Sequence, residues 1–325
     1  MVYKHLQYGL PMINDVIRNK FYKSILKDVN NKTCLEIGFG SGILSILAIE
    51  AGAKHIIAYE EMEETYDLGS KVIQDLNLQD KITLISDRFT SDKIENHPNI
   101  DLIFTETINH TLWGESLLHA IRHNNLPTII PNKYFLELHV VEISKNYANR
   151  LLNSDISICN PGIEITYNFN KIINQILNKE EIVLDSGMHG ISLDDLYKVL
   201  DICDVTTRVP NKTYTVDINN PPALDTIINW EINLNQNKNY IVIPRTGMSY
   251  KNSKLYTDVC DNWGAFAQYA IILNAQTDFK FKQNFYDGNI VFEYGDQQIH
   301  LIKEEHSHNY NITETDNVKV INYVH

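Results

Sequence analysis

The sequence predicts an α/β fold, a doubly wound parallel sheet followed by an antiparallel barrel or sandwich. Two observations carry that prediction. Up to Pro131, short apolar runs alternate with stretches of helical periodicity. Beyond Pro131, almost every apolar run is strand-like, and Asn-rich turns and Gly288 separate several of them.

In the first part, TCLEIGFG (33–40) reads as a buried strand entering a turn, and GILSILAIEAG (42–52) as an apolar helix. HIIAYE (55–60) is a second strand and MEETYDLGSKVIQDLN (62–77) a second helix. KITLIS (81–86) and DLIFTE (101–106) add two strands, and ESLLHAIRHN (115–124) adds a helix before the chain turns at Pro127 and Pro131. In the second part the expected strands are 134–144, 213–218, 227–234, 240–244, 266–273, 279–285, 289–294 and 299–304. ISLDDLYKVLDICD (191–204) interrupts them with helical periodicity, and His306 and His308 read as part of a solvated tail. The division predicted is 1–131 and 132–325.

Composition narrows the function classes. With 43% hydrophobic and 21% charged residues, the 325-residue chain is globular rather than disordered. A net charge of -13 repels phosphate backbones and attracts cations, so nucleic acid is not the expected partner. The four cysteines stand singly with no CxxC, which suits a reducing, cytoplasmic setting and builds no zinc site, so no metal is expected. No run of 18 apolar residues offers a membrane span.

The first strand opens into Gly38-Phe39-Gly40-Ser41-Gly42 and then a helix. Glycine serves there because the backbone turns sharply and approaches a ligand closely. The dinucleotide fingerprint requires a glycine where Ile43 stands, so a nicotinamide cofactor loses ground. Glu60 ends the second strand, where a carboxylate accepts hydrogen bonds from ribose hydroxyls. Together these features point to S-adenosylmethionine (SAM), against the plainer reading of a tight βα turn and a surface glutamate. Glu106 ends the fourth strand and Glu115 follows nine residues later. On one helix that spacing rotates by about 900°, so the pair converges only across a loop. TINHTLWG (107–114) has the composition of one. Two carboxylates at the carboxyl end of a parallel sheet match a planar cation with several donors, above all a guanidinium. Glu115 taken alone also reads as a helix N-terminal glutamate favoured by the dipole.

These segments, CLEIGFGSGILSILAIEAGAKHIIAYE and TETINHTLWGE, resemble the protein arginine methyltransferases. The resemblance implies a class I SAM-methyltransferase Rossmann-like domain, then a β-barrel domain with a helical dimerisation arm, here within about 150–210. It implies that Glu106 and Glu115 are the catalytic pair gripping the acceptor guanidinium. Arg18 would hold the SAM carboxylate, Gly38, Gly40 and Gly42 would cradle the cofactor, and Glu60 would hold the ribose. Phe89 and Thr90 would lie against the adenine, although many members have glutamate at the second position. Tyr3 would border the acceptor pocket. Met12 would lie at the cofactor–acceptor boundary, unless it only packs its helix. Cys260-Asp261-Asn262-Trp263 resembles the loop that closes the pocket in the family, with Asn262 in place of its histidine. The Asp–His pair of some members is thereby reduced to Asp15 and an amide. Trp263 walls the pocket or fills a β core.

The resemblance implies SAM as cofactor, S-adenosylhomocysteine as product, an arginine-type acceptor and a homodimer. It is nearest to the monomethylating branch and to free-arginine N-methyltransferases. Free L-arginine is the expected acceptor by a small margin over protein, given the eleven residues before Met12 and a stretch 145–210 long enough to cover the pocket mouth. Methylation of another small guanidine or amine, or a silent SAM-binding partner protein, are the competing readings.

Overall fold

The computed structural model describes residues 12–108, 117–121, 126–143, 156–160, 163–167, 182–184, 212–223, 226–233, 239–256, 270–274, 279–284, 290–294, 297–303, 311–315 and 318–323. Tyr3, Glu115, Asn262, Trp263, the 191–204 segment and the two tail histidines lie outside these residues.

Helix α1 (Val16–Ile25) begins where Asp15 accepts the Arg18 N–H at 2.8 Å. An aspartate at this position satisfies one of the orphan donors of the first turn. The helix buries Arg18, Phe21, Tyr22 and Ile25. Next come β1 (Thr33–Ile37), α2 (Ile43–Glu50), β2 (His55–Glu60), α3 (Glu63–Asp75), β3 (Ile82–Ser86), β4 (Leu102–Thr105), α4 (Leu117–Ala120) and β5 (Ile129–Ile130). The five strands form a parallel sheet in the order β3-β2-β1-β4-β5. Cys34, Leu35, Ile56, Ile103 and Phe104 have no exposed surface, as strands covered on both faces require. Each such Leu, Ile or Phe contributes about 1.5–3 kcal/mol by leaving water. The strand order reverses between β1 and β4, the place where open α/β sheets bind ligands.

The later strands are β6 (Lys133–Ile143), β7 (Ile156–Asn160), β8 (Ile163–Tyr167), β9 (Ile182–Leu184), β10 (Lys212–Asp217) and β11 (Ile227–Ile232). They continue with β12 (Asn239–Tyr250), β13 (Ser253–Tyr256), β14 (Ala270–Asn274), β15 (Phe279–Asn284), β16 (Ile290–Tyr294), β17 (Gln297–Lys303), β18 (Asn311–Thr315) and β19 (Val318–Tyr323). One six-stranded sheet runs β10-β6-β12-β14-β9 with β13 beside β12, and another runs β11-β15-β16-β17-β19-β18. β7 and β8 pair with each other. The pairing is antiparallel throughout except between β17 and β19, which run parallel.

Several expectations need correction. β12 passes through Pro244, which reads as a stop. Its ladder to β14 ends at Val242 and its ladder to β13 begins at Gly247, so among the described residues Pro244 has a strand, β6, on one side alone. A residue without an N–H loses no bond toward the open side. Asn311–Thr315 and Val318–Tyr323 form two strands that the sequence pattern did not single out. β7, β8 and β9 stand within the stretch expected to supply a helical arm, because ISICN, IEITY and IVL are rich in β-branched residues, while the rest of that stretch, 191–204 included, lies outside the described residues. Short β5 and β13 also escape the sequence pattern. No helix among the described residues is long and apolar enough to cross a membrane.

Candidate active site

The carboxyl ends of β1, β2 and β4 meet at the reversal point, and each carries a predicted residue. After β1, Gly38, Gly40 and Gly42 all adopt positive φ, at 78°, 53° and 77°. Side chains other than glycine are strained there. A Cβ on Gly42 would lie 2.6 Å from the Phe39 ring, so the glycine also makes room for that buried phenyl. Beside Gly40 no described residue lies within 4 Å of such a Cβ, and the loop faces open space among the described residues. The Gly38 and Phe39 amides donate to the Tyr59 carbonyl at 3.1 and 2.9 Å, which ties the loop to the end of β2.

Glu60 follows Tyr59 and is 7% exposed. Its two oxygens accept from the Gly40 amide at 2.9 Å and the Met62 amide at 3.0 Å. A carboxylate oxygen accepts more than one hydrogen bond, so Glu60 is fixed in direction and keeps capacity for further donors. Phe89 is buried edge-on against Tyr59, with ring centroids 5.2 Å apart, and half-buried Thr90 follows it. Met12 is half-buried and packs against the core.

Glu106 follows β4 directly. The Arg18 guanidinium donates from Nη2 to Glu106 Oε2 at 2.9 Å, with side-chain exposures of 3% and 10%. Burial holds the Glu106 carboxyl above the usual carboxylate range, although Arg18 pulls it down. Burial likewise disfavours the Arg18 cation, but Glu106 above all, with Tyr22 and Asp15, outweighs that and raises its pKa. Thr105 fastens this corner. Its hydroxyl donates to the Ile37 carbonyl at 3.0 Å and lies 2.9 Å from the Thr107 hydroxyl.

The structure thus assembles Arg18, Gly38, Gly40, Gly42, Glu60 and Glu106 around one corner of the sheet. The pairing of Arg18 with Glu106, 88 residues apart, is not visible in the sequence. Asp15, read from the sequence as half of a reduced proton-transfer pair, caps α1 through one oxygen, and Asn262, the amide of that pair, lies outside the described residues. Two residues went unnoticed. Glu36 lies in β1 with no exposed surface, and Ser45 donates a short hydrogen bond to it. Burial pushes its carboxyl up to about 8, helped by the charges of Glu60 and Glu106 and opposed by Ser45 and Arg18. Its signal was a carboxylate inside an apolar run of a parallel strand, TCLEI. Tyr22, fully buried in α1, carried no signal beyond helical periodicity.

The residues fit a cofactor with an adenosine and an amino-acid end. Gly40, between two further positive-φ glycines, borders open space, a fixed carboxylate stands at the end of β2, and a buried guanidinium stands within reach of the same corner.

Comparison with known proteins agrees. A family model described as "Conserved hypothetical protein 95" matches residues 10–109. Protein arginine N-methyltransferase 1.1 of Arabidopsis thaliana is 26% identical over 153 residues, which is 44% of this chain and 39% of that protein. Protein arginine N-methyltransferase 9 of Homo sapiens is 33% identical over 121 residues, 34% of this chain and 14% of that protein. The chain therefore spans less than half the length of these curated relatives. In fold, it is similar to crystalline PRMT6 with a TM-score of 0.59 at 15% identity, covering 90% of this chain and all of that one. A further structure of that protein is described as PRMT6-SAH. Both sequence relatives are protein arginine N-methyltransferases, and the fold is similar to that of PRMT6.

Proposed function

We propose that the protein is a SAM-dependent arginine N-methyltransferase, with residues 1–131 forming the cofactor domain and 132–325 the barrel-like domain. The observation that carries this reading is the buried Arg18–Glu106 pair beside the glycine loop and Glu60. SAM, when bound, supplies an electrophilic methyl on a sulfonium. Glu60 would accept the ribose hydroxyls, the loop glycines would admit the cofactor backbone, and Arg18 has a planar fork of donors for its carboxylate.

Glu106, ionised, accepts hydrogen bonds from the acceptor guanidinium and fixes its plane, with Glu115 as its proposed second anchor. A guanidinium is protonated at any ordinary pH and is a poor nucleophile, so orientation and charge localisation are what the protein contributes. Phe89 and Thr90 would wall the adenine, and Tyr3, Met12, Asn262 and Trp263 the acceptor side. Because Glu106 titrates above the ordinary range, kcat/KM is expected to fall on acidification before an unperturbed glutamate would protonate.

The acceptor is free L-arginine or an arginine in a peptide, with one methyl group transferred. Homodimerisation is proposed on the family resemblance. Light scattering that finds only a monomer at full activity argues against it.

The decisive test is Glu106→Gln. Turnover of L-arginine or an Arg-Gly-Gly peptide, followed by mass as methyl replaces hydrogen, is expected to fall at least about 100-fold. Calorimetric affinity for S-adenosylhomocysteine should change only a few-fold. Near wild-type turnover in this variant removes the guanidinium clamp. A ratio of kcat/KM for the two acceptors assigns the preference.

A further inference from the structure

Glu106 and Arg18 belong to different elements, and the geometry that relates them depends on what holds α1 against the end of β4. One side chain touches both. Tyr22 lies four residues after Arg18, one turn along the same face of α1, and has no exposed surface. Its ring lies under the Arg18 guanidinium, with the central carbon 5.2 Å from the ring centroid. That cation over an aromatic face is attractive in its own right, and more so when both are shielded from water.

The other end of the ring reaches two further elements. The Tyr22 hydroxyl lies 3.3 Å from the Thr105 carbonyl, the peptide group immediately before Glu106. It also lies 3.3 Å from the Met248 sulfur on β12. Met248 is itself fully buried and sits opposite Tyr134 in the ladder to β6 and opposite Leu255 in the ladder to β13. A phenol has one proton, so the two acceptors share it. A distance of 3.3 Å is ordinary toward the large sulfur and long toward a carbonyl oxygen, so a slight approach of α1 to β4 transfers the proton bond from one to the other.

We infer that Tyr22 is a positioning residue for the transfer reaction: its ring seats Arg18, and its hydroxyl ties the start of the Glu106 loop to β12. The antiparallel region thereby sets the distance between the cofactor-side cation and the acceptor-side carboxylate. The inference rests on the arginine methyltransferase reading above, and its test separates the two.

Tyr22→Phe in the full chain keeps the ring beneath Arg18 and removes only the hydroxyl. Expected is a fall in kcat of about five- to tenfold, the size of one lost hydrogen bond. Affinity for S-adenosylhomocysteine by calorimetry stays within about twofold, because the ring that seats Arg18 remains. Amide hydrogen exchange over residues 102–106 accelerates. A lowered melting midpoint with wild-type kcat and wild-type exchange makes Tyr22 a packing residue and overturns the inference. Met248→Leu removes the sulfur and leaves the tyrosine, and is expected to lower kcat by a smaller factor with the same unchanged affinity. Should Tyr22→Phe not fold, wild-type kcat in Met248→Leu overturns the inference by itself. Glu106→Gln, run beside them, assigns any failure. If it turns over normally, the methyl-transfer reading is at fault. If it is inactive while Tyr22→Phe is normal, only the role of Tyr22 is lost.

Discussion

Glu36, in the central strand of the parallel sheet, and Glu137, in β6 of the antiparallel one, are buried to nearly the same degree, at 0% and 5% exposure. Their carboxyls move in opposite directions. Burial pushes Glu36 up to about 8, and its neighbours Glu60 and Glu106 add to the effect. Burial acts on Glu137 too, but hydrogen bonds from His139 and Tyr256 and the charge of Lys254 hold it below the usual range. The donors stand at 3.3 Å (His139), 3.0 Å (Tyr256) and 3.5 Å (Lys254). Burial alone therefore does not decide the state of a carboxylate; the number of donors turned toward it does. In the antiparallel region the chain provides its own. Around Glu36, Glu60 and Glu106, Arg18 is the guanidinium among the described residues, and the remaining demand for positive charge suits a cationic ligand.

The comparison predicts its largest effect at Glu137. Glu137→Ala removes the acceptor that His139, Tyr256 and the half-exposed Lys254 share, a loss on the scale of about 3 kcal/mol. Denaturant unfolding measures it. Affinity for S-adenosylhomocysteine in the folded variant should be unchanged, since the bonds lost, to His139, Tyr256 and Lys254, do not involve the glycine loop. A loss below about 1 kcal/mol would show that these donors do little for the carboxylate, and the contrast would collapse.

How far these two regions were legible differs for the same physical reason. The parallel strands were readable because burial on both faces produces unbroken apolar runs, as in LIFT and HIIAYE. The glycine loop and Glu60 were readable because a ligand-facing turn demands particular residue types. The antiparallel strands were readable where alternation is clean, as in IINWEI, and missed where strands are short or polar, as in SKLY and NITET. Pro244 misled because a one-sided segment of β12 tolerates it, a fact of sheet neighbours rather than of local sequence. Arg18 with Glu106, and Tyr22 with Met248, are pairings across 88 and 226 residues that no local pattern encodes.

A middle-sized effect tests the sign of the Glu36 shift. Its folded pKa of about 8 lies well above the ordinary carboxylate range. The folded state therefore holds a proton that the unfolded chain releases, so this group's contribution is present below the unfolded value and is lost as pH rises through about 8. Glu36→Gln does not titrate. Its stability relative to wild type should rise between pH 5 and 8.5 by an amount on the order of a few kcal/mol. Parallel denaturant curves at the two pH values measure it. Glu137 runs the other way, contributing above its unfolded value and losing that contribution as pH falls through its depressed folded value. A Glu36→Gln difference that stays constant with pH would mean that Glu36 is not held protonated.

The smallest effect is expected where donors are plentiful but burial is slight. Asp28, 28% exposed, accepts from Lys251 at 2.5 Å and from the Tyr250 hydroxyl at 2.6 Å, between the turn after α1 and the β12–β13 hairpin. Lys251 above all, and then Tyr250, hold its carboxyl below the usual range, while burial and Asp28 push the Tyr250 phenol up to about 12. Like Glu137, Asp28 has its donors; unlike Glu137, it exchanges them for water at little loss. Lys251, at 63% exposure, gives up side-chain freedom to hold the bond and is screened by salt. Lys251→Ala should therefore cost about 0.5 kcal/mol or less, and less still in concentrated salt. Tyr250→Phe, removing the better shielded bond, should cost about 1 kcal/mol and be nearly indifferent to salt. Thermal or denaturant unfolding of both variants at two salt concentrations ranks them. If Lys251→Ala proved as costly as Glu137→Ala, donor number would outweigh burial even in water, and the contrast between the two regions would need a different cause.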